Sequence, residues 1–313
     1  MSQSEPFISF ILPAWKSRFL KEAIESIINQ TSQNWELVVV DDCSPEPLNE
    51  IVNSFQDSRI RYYRNEKNLG GQNLVKQWNH CITFATGEFV VLAADDDIYQ
   101  PTFCAECFRL AERYPQVDLI HSAAETIDEQ GKRIWDDNIM PEFTNKYEYL
   151  NWWVTGRICT CVGNFAFRRN KLLEIGGFVD FPCAFGSDVA TPILLSHQGV
   201  ANTSEMLFSF RDYPQHLSAD TSRLKDKLEA TSQLSEWLQA IHYETPDNPE
   251  DQAFYQVINP DYLHRKVVYE YFNLIICRVP ATKLPEYLKH CRLATPKDKF
   301  MMVLRWIKRR ICG

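Results

Sequence analysis

The chain has 313 residues, 45% of them hydrophobic and 24% charged, with 19 Phe, 13 Tyr and 8 Trp. These proportions exclude a disordered chain and leave room for one large domain with an extension, or for two domains. A formal net charge of −8 argues against a nucleic-acid partner held by a broad basic face, although a local basic patch lies at the C-terminus.

The N-terminus, MSQSEPFISFILPAW, carries no basic leader, and its apolar run at 7–12 stops at Pro13. Neither a signal peptide nor a membrane span is expected there. No other stretch reaches the roughly 18 uninterrupted apolar residues that a span requires. The expected location is the cytoplasm.

FISFIL (7–12) reads as a strand buried on both faces. In SRFLKEAIESIINQ the residues Phe19, Leu20, Ala23, Ile24, Ile27 and Ile28 recur at helical spacing on one face. WELVVV (35–40) is a second buried strand and runs into Asp41 and Asp42; IRYYR (60–64) is a third. Residues 71–85 predict a helix, EFVVLAA (88–94) a strand, and a further helix follows Pro101. VDLIHSAA (117–124) is one more strand. This β-α repetition predicts an α/β fold with a mostly parallel, doubly wound sheet flanked by helices.

Ligands of such sheets bind beyond the carboxyl ends of the strands. Asp41-Asp42 and the run Asp95-Asp96-Asp97 both fall at strand carboxyl ends. Neighbouring carboxylates repel by about 4 kcal/mol at 4 Å with an effective dielectric near 20. Solvent relieves that repulsion in a surface turn, and a divalent cation relieves it better. No G-x-G-x-x-G follows the first strand, and no G-x4-G-K-[ST] is present. Without a glycine cradle, a metal held by carboxylates is the natural way to bind a diphosphate.

The ten cysteines are scattered, so reduced thiols are expected rather than a disulfide framework. A structural zinc site wants C-x2-C twice or with paired histidines; Cys159/Cys161 has the wrong spacing and Cys104/Cys107 lies on an expected helix, so both pairs read as small buried hydrophobes.

ISFILPAWKSRFLKEAIESIINQTSQNWELVVVDDCSP and then NEKNLGGQNLVKQWNHCITFATGEFVVLAADDDIYQP carry a resemblance that continues through VGNFAFRRNKLLEIGGF and FGSDVATPILLSHQG. Over roughly residues 7 to 218 the chain resembles the family-2 nucleotide-sugar glycosyltransferases with the GT-A fold, inverting enzymes of bacterial surface-polysaccharide type. The resemblance implies a catalytic domain over 1–218, with a nucleotide-binding half to about residue 100 and an acceptor half beyond it. It implies transfer of a sugar from a nucleotide-sugar donor, usually UDP-linked, to a hydroxyl of a glycan or lipid-linked sugar acceptor, with Mn2+ or Mg2+ as the divalent cation. Position by position, Asp42 matches the acidic residue that reads the base, and Trp15 the aromatic beside it. Pro13 and Lys76 fall among the donor-binding positions. Asp95 matches the ribose contact and Asp96 the metal ligand, with Asp97 a second candidate ligand. Asp188 matches the base that deprotonates the acceptor, and Arg211 a basic residue that helps to hold the leaving diphosphate.

Two departures stand out. Ala93 replaces the first aspartate of the usual metal strand, and Ser187 precedes Asp188 where a glutamate is common. The bland alternatives are a solvated turn at 95–97, turn chemistry at Asp42 and a helix N-cap at Asp188. Trp152 and Trp153 are candidate stacking platforms for a sugar acceptor, or core residues; His216 is a further acceptor-side candidate. Two other functions stay open: a catalytically silent GT-A-like binding module, and a sugar nucleotidyltransferase. The latter is expected to carry a glycine-rich basic loop that PAWKSR lacks.

Beyond residue 218 the pattern predicts a helical extension over 219–313, with 244–252 as a loop. In the last seventeen residues, KDKFMMVLRWIKRRICG, Phe300, Val303, Leu304, Ile307 and Ile311 fall on one helical face among basic residues. That pattern suits either a final helix docked on the domain or peripheral attachment to an anionic membrane surface at its cytoplasmic face.

Overall fold

The structure is a computed structural model that describes residues 7–216, 219–241 and 244–312. The first half alternates as expected: β1 (Ile8–Ala14), α1 (Leu20–Ile28), β2 (Trp35–Asp41), α2 (Leu48–Asn53), β3 (Ile60–Arg64), α3 (Leu74–Cys81) and β4 (Phe89–Leu92). There follow β5 (Ile98–Tyr99), α4 (Phe103–Arg113), β6 (Leu119–Ile127), β7 (Arg133–Asp136), β8 (Phe143–Thr144) and α5 (Lys146–Val154). The sheet is completed by β9 (Phe165–Arg168), α6 (Arg169–Glu174), α7 (Ser187–Leu195) and β10 (Val200–Arg211).

The strands form one sheet in the order β3-β2-β1-β4-β9-β6-β10-β5, with β7 on β6 and β8 on β10. β3, β2, β1 and β4 are parallel, as are β6 and β10; β9 runs against its two neighbours. Six strands therefore end at the same edge. β1, β2 and β4 read as unbroken apolar runs because both of their faces are covered. Ile11, Val38, Val40, Val90 and Leu92 enter one core, while Phe10, Leu12, Leu37, Val39 and Val91 enter the core on the opposite face. That division is the period-two alternation of a strand.

The remaining helices are α8 (Leu224–Ala240), α9 (Pro249–Val257), α10 (Pro260–Glu270), α11 (Leu284–His290) and α12 (Pro296–Cys312). The boundary expected at residue 218 falls outside the described residues. Leu234 and Leu238 of α8 and Leu263 of α10 enter the same core as β1 and β4, so this region closes one face of the sheet. A second apolar cluster, from Leu224 to Met302, holds the region together internally.

Two expectations change. The segment 244–252 is a loop only to Asn248, whose side chain caps α9 by accepting the Asp251 N–H, with Pro249 in the first turn. Cys104 and Cys107 are buried on α4 as expected, whereas Cys159 is exposed.

Candidate active site

The site is built at the carboxyl edge of the parallel strands. β1 lies between β2 and β4, so the residues after those two strands flank its end. Asp42 follows β2, and its N–H donates to Ala14 O at 3.0 Å. Its buried carboxylate accepts from Asn65 Nδ2 (2.7 Å), Leu69 N (2.8 Å) and Gly70 N (2.7 Å). These donors fix the 65–70 loop against the end of β2. Two carboxylate oxygens offer about four acceptor positions, so about one remains for a ligand. The turn after β2 is closed by Asp41 instead, which accepts from Ser44 N and binds Tyr62 and Arg64. Turn chemistry therefore belongs to Asp41, not to Asp42.

Asp95 reaches back to the exit of β1, where its Oδ2 accepts from Trp15 N at 2.9 Å and Lys16 N at 2.7 Å. Trp15 stays 38% exposed beside it, and its carbonyl accepts from Ser44 Oγ. Pro13 lies within β1, paired with Val40. Lys76 lies exposed in the first turn of α3, the helix that follows the loop wrapped around Asp42.

Asp96 and Asp97 are buried beneath Asp95. β5 pairs antiparallel with β10, which brings the 95–97 turn against the end of β10. Asp96 Oδ2 accepts from the Tyr213 hydroxyl at 2.9 Å, and Asp97 Oδ1 from Arg211 N at 3.0 Å. Burial, and then the Asp96 charge, push Asp95 up to about 6 and Asp97 well above the carboxylate range. The turn is therefore no solvated surface feature. Among the described residues, no three His, Cys, Asp or Glu side chains converge as a finished metal cage. The donor set fits a hard cation that takes one or two carboxylates and completes its shell with substrate phosphates.

Arg211 departs from the expectation of a diphosphate-holding residue. Its side chain is 2% exposed. Nε donates to Asp96 O at 2.9 Å, one terminal nitrogen to the carbonyls of Asp128 and Glu129, and the other to Glu22 Oε2 at 2.8 Å. Its guanidinium carbon lies 4.2 Å from the centroid of the Phe19 ring. It is a buried strut under the aspartate turn. The cations at the mouth are Lys16, whose ammonium donates to Tyr213 Oη and Gln215 O, and Arg18, paired with Glu129. His216 packs edge-on to Phe210 and lies 5.8 Å from the Tyr213 ring, so it belongs to the aspartate-turn side rather than the acceptor side.

Asp188 approaches from the other half of the sheet. Gly186, at φ +94°, turns the chain into α7 and occupies the N-cap position, so Asp188 lies within the first turn and is not the cap. Its half-buried carboxyl is pushed up to about 7, by burial first and with a contribution from the Glu270 charge of α10. Backbone N–H groups of its own turn oppose the shift. Cys161 lies within electrostatic reach of both acidic groups. Its thiol is raised by its hydrogen bond to Cys159 and by burial, and further by the charges of Asp97 and Asp188. The aspartate turn and Asp188 therefore both act on this one thiol.

Around Asp188 lie buried polar groups that the sequence did not announce. Asp137 Oδ1 accepts from Asn138 N and Cys159 N, while its buried Oδ2 has no hydrogen-bond partner among the described residues. Burial pushes this carboxyl up to about 7. The Tyr149 hydroxyl, also buried and unpartnered among the described residues, feels both Asp188 and Asp137. Lys266 and Glu270 of α10 form a 3.4 Å ion pair whose ammonium lies 4.7 Å from the Trp153 ring centroid. Trp153 is a core residue, not an exposed platform, and Trp152 is half-buried with Arg157 across its face at 4.2 Å. Asp137 and the α10 pair carried no signal beyond charge, because nothing local in sequence places them beside α7.

Comparison with known proteins identifies the class. The profile of glycosyl transferase family 2 matches residues 9–176, more than half of the chain, and the chain belongs to this family. An uncharacterized glycosyltransferase of Methanocaldococcus jannaschii is 31% identical over 151 residues, which are 46% of this chain and 49% of that protein. A putative colanic acid biosynthesis glycosyl transferase of Escherichia coli is 36% identical over 102 residues, 32% of this chain and 36% of that protein. The chain spans about half the length, or less, of the curated relatives it matches. The crystal structure of S. aureus TarS 1–349 in complex with UDP-GlcNAc superposes with a TM-score of 0.70 at 16% identity, covering 90% of this chain and 79% of that one. The fold is the GT-A fold, with the helical region appended.

Proposed function

We propose that the protein is an inverting glycosyltransferase that moves a sugar from a nucleoside diphosphate, with uridine favoured, to a hydroxyl of a glycan or lipid-linked acceptor in surface-polysaccharide synthesis. The observation that carries this reading is the placement of Asp188. Its half-buried carboxyl is pushed up to about 7, and its charge and that of Asp97 both reach the Cys161 thiol. A base works best when its pKa lies near the operating pH. Asp188 takes the proton from the acceptor hydroxyl as that oxygen bonds to the anomeric carbon. The bond from that carbon to the diphosphate oxygen breaks on the opposite face, and the diphosphate leaves with the electron pair.

On the donor side, Asp42 reads the base through its remaining acceptor position, with Trp15 beside it. Asp95 contacts the ribose while holding the β1 exit. Asp96, with Asp97 behind it, would hold a divalent cation. When bound, that cation offsets the charge that builds on the leaving diphosphate. Lys16 and Arg18 add positive charge at the same mouth. Pro13 and Lys76 complete the donor side.

The uridine preference is supported by TarS, whose crystal structures hold UDP and UDP-GlcNAc on the same fold. The surface-polysaccharide assignment is supported by the colanic acid enzyme among the relatives. The test is a panel of nucleotide sugars assayed for donor turnover with and without Mn2+, alongside Asp188→Asn. Turnover of one donor that requires both Mn2+ and Asp188 supports the proposal. Donor binding with no turnover on any acceptor would favour a silent binding module.

A further inference from the structure

α12 has three distinct faces. Its N-terminus is fixed by Thr295 and Asp298, whose side chains and backbone N–H groups exchange hydrogen bonds, and His264 of α10 lies 3.0 Å from Asp298. One face docks: Met302 is 1% exposed, Val303 and Trp306 join the cluster of Phe272 and Ile276, and Trp306 Nε1 donates to Val279 O at 2.9 Å. The stripe expected from the sequence therefore splits. Val303 turns inward, whereas Phe300 (61% exposed), Leu304 (44%), Ile307 (42%) and Ile311 (77%) do not. At 3.6 residues per turn these four lie within about 60° of one another. They form a second apolar stripe that the fold leaves uncovered.

The third face is basic. Lys297 and Lys308 are exposed beside this stripe, and Arg305 and Arg309 are exposed further round the helix. Over residues 296–311 the sequence has six basic residues and one acidic one, in a chain of net charge −8. Among the described residues, no helix is long and apolar enough to cross a membrane. An apolar stripe bordered by Lys and Arg is the pattern of a helix lying in the plane of an anionic interface.

We infer that α12 is a membrane-docking helix that lays Phe300, Leu304, Ile307 and Ile311 into the headgroup boundary of an anionic bilayer. Charge complementarity selects this occupant. A two-fold pairing with a second copy sets the basic face against itself, whereas anionic headgroups neutralise it. Each Lys or Arg near such a surface strengthens binding about fivefold. The inference stands on α12 alone and is independent of the transferase reading.

Vesicle co-sedimentation of the full chain tests it, with vesicles of phosphatidylcholine alone or mixed with phosphatidylglycerol, at low and high salt. The chain is expected to sediment with the mixed vesicles at low salt. Its partition should fall at least tenfold in high salt, on neutral vesicles, and in the double variant Lys308→Glu/Arg309→Glu. Leu304→Asp/Ile307→Asp should lose sedimentation in all conditions. Both variants change exposed side chains and should keep the wild-type melting temperature and donor affinity. Failure of the wild type to sediment on anionic vesicles would overturn the inference, as would wild-type sedimentation by either variant. A vesicle-free dimer abolished by Leu304→Asp/Ile307→Asp would also overturn it, assigning the stripe to a second copy.

Discussion

The Tyr213 hydroxyl donates to Asp96 Oδ2 at 2.9 Å across 117 residues of sequence. The bond ties the chain beyond β10 to the turn after β4, so the aspartate turn depends on both halves of the sheet. A hydrogen bond to a charged group contributes about 1.5–3 kcal/mol. Tyr213→Phe removes the donor and keeps the ring beside Phe19 and His216. Its expected effect is a roughly tenfold loss of Mn2+-dependent affinity for UDP, measured by calorimetric titration, with a modest fall in melting temperature. Unchanged affinity would show that the bond does not position Asp96.

Arg211 separates a structural role from a chemical one. Its guanidinium is buried and hydrogen-bonded to Glu22 and to three backbone carbonyls. Glu22 is largely exposed, so the cost lies mainly in the carbonyls left without a donor, about 1–3 kcal/mol for each that is buried. Arg211→Ala should lower the urea midpoint accordingly. A variant of wild-type stability with a large loss in kcat would instead return Arg211 to the diphosphate.

The aspartate turn should link cation binding to pH. Asp95 titrates near 6, raised by burial and by Asp96, and Asp97 is raised further. A carboxyl whose folded pKa exceeds its unfolded one contributes stability that is full below about 4 and lost as pH rises through the folded value. Above about pH 6 the turn carries uncompensated negative charge that a cation can offset. The rise in melting temperature on adding Mn2+ should therefore be larger at pH 7.5 than at pH 5. Asp96→Ala should abolish the difference. An equal rise at both pH values would place the cation elsewhere.

Asp188 sets the pH dependence of turnover. With a pKa near 7, kcat/KM should climb through about pH 7 as the base deprotonates. Glu270 adds negative charge near Asp188, so Glu270→Gln should shift this limb to lower pH. The same linkage gives a stability signature. The folded pKa is raised, so the ionised form destabilises the fold above about pH 7, and Asp188→Asn should raise the melting temperature at pH 8 more than at pH 5. A limb unmoved by Glu270→Gln would remove α10 from the site.

The parallel half of the fold was legible because β1, β2 and β4 are short apolar runs, the first closed by Pro13 and the other two running into acidic residues, and α1 shows a clean helical stripe. β9 and β10 were not. FAFR is only four residues long, and Asn202–Glu205 interrupt the apolar pattern of β10 where its pairing with β6 shifts register. The aspartate turn was visible as three consecutive carboxylates after an apolar run, whereas Asp188 was singled out only by the family resemblance. The burial of Arg211 was not, since a basic residue after a strand looks the same whether it faces solvent or Glu22. Asp137, Glu270 and Lys266 owe their place to tertiary packing alone. On α12 the sequence showed one apolar stripe, and the structure divides it into a docked part and an open part.

Asp188 is proposed to take the acceptor's proton while the aspartate turn holds the donor, and the two functions should separate in one variant. Donor affinity by calorimetric titration and product formation under saturating donor are to be compared between wild type and Asp188→Asn. The account predicts an unchanged Kd for the nucleotide sugar and a fall in kcat of at least about a hundredfold, as loss of a general base requires. Turnover near the wild-type rate in Asp188→Asn, with loss instead in Asp137→Asn, would contradict it.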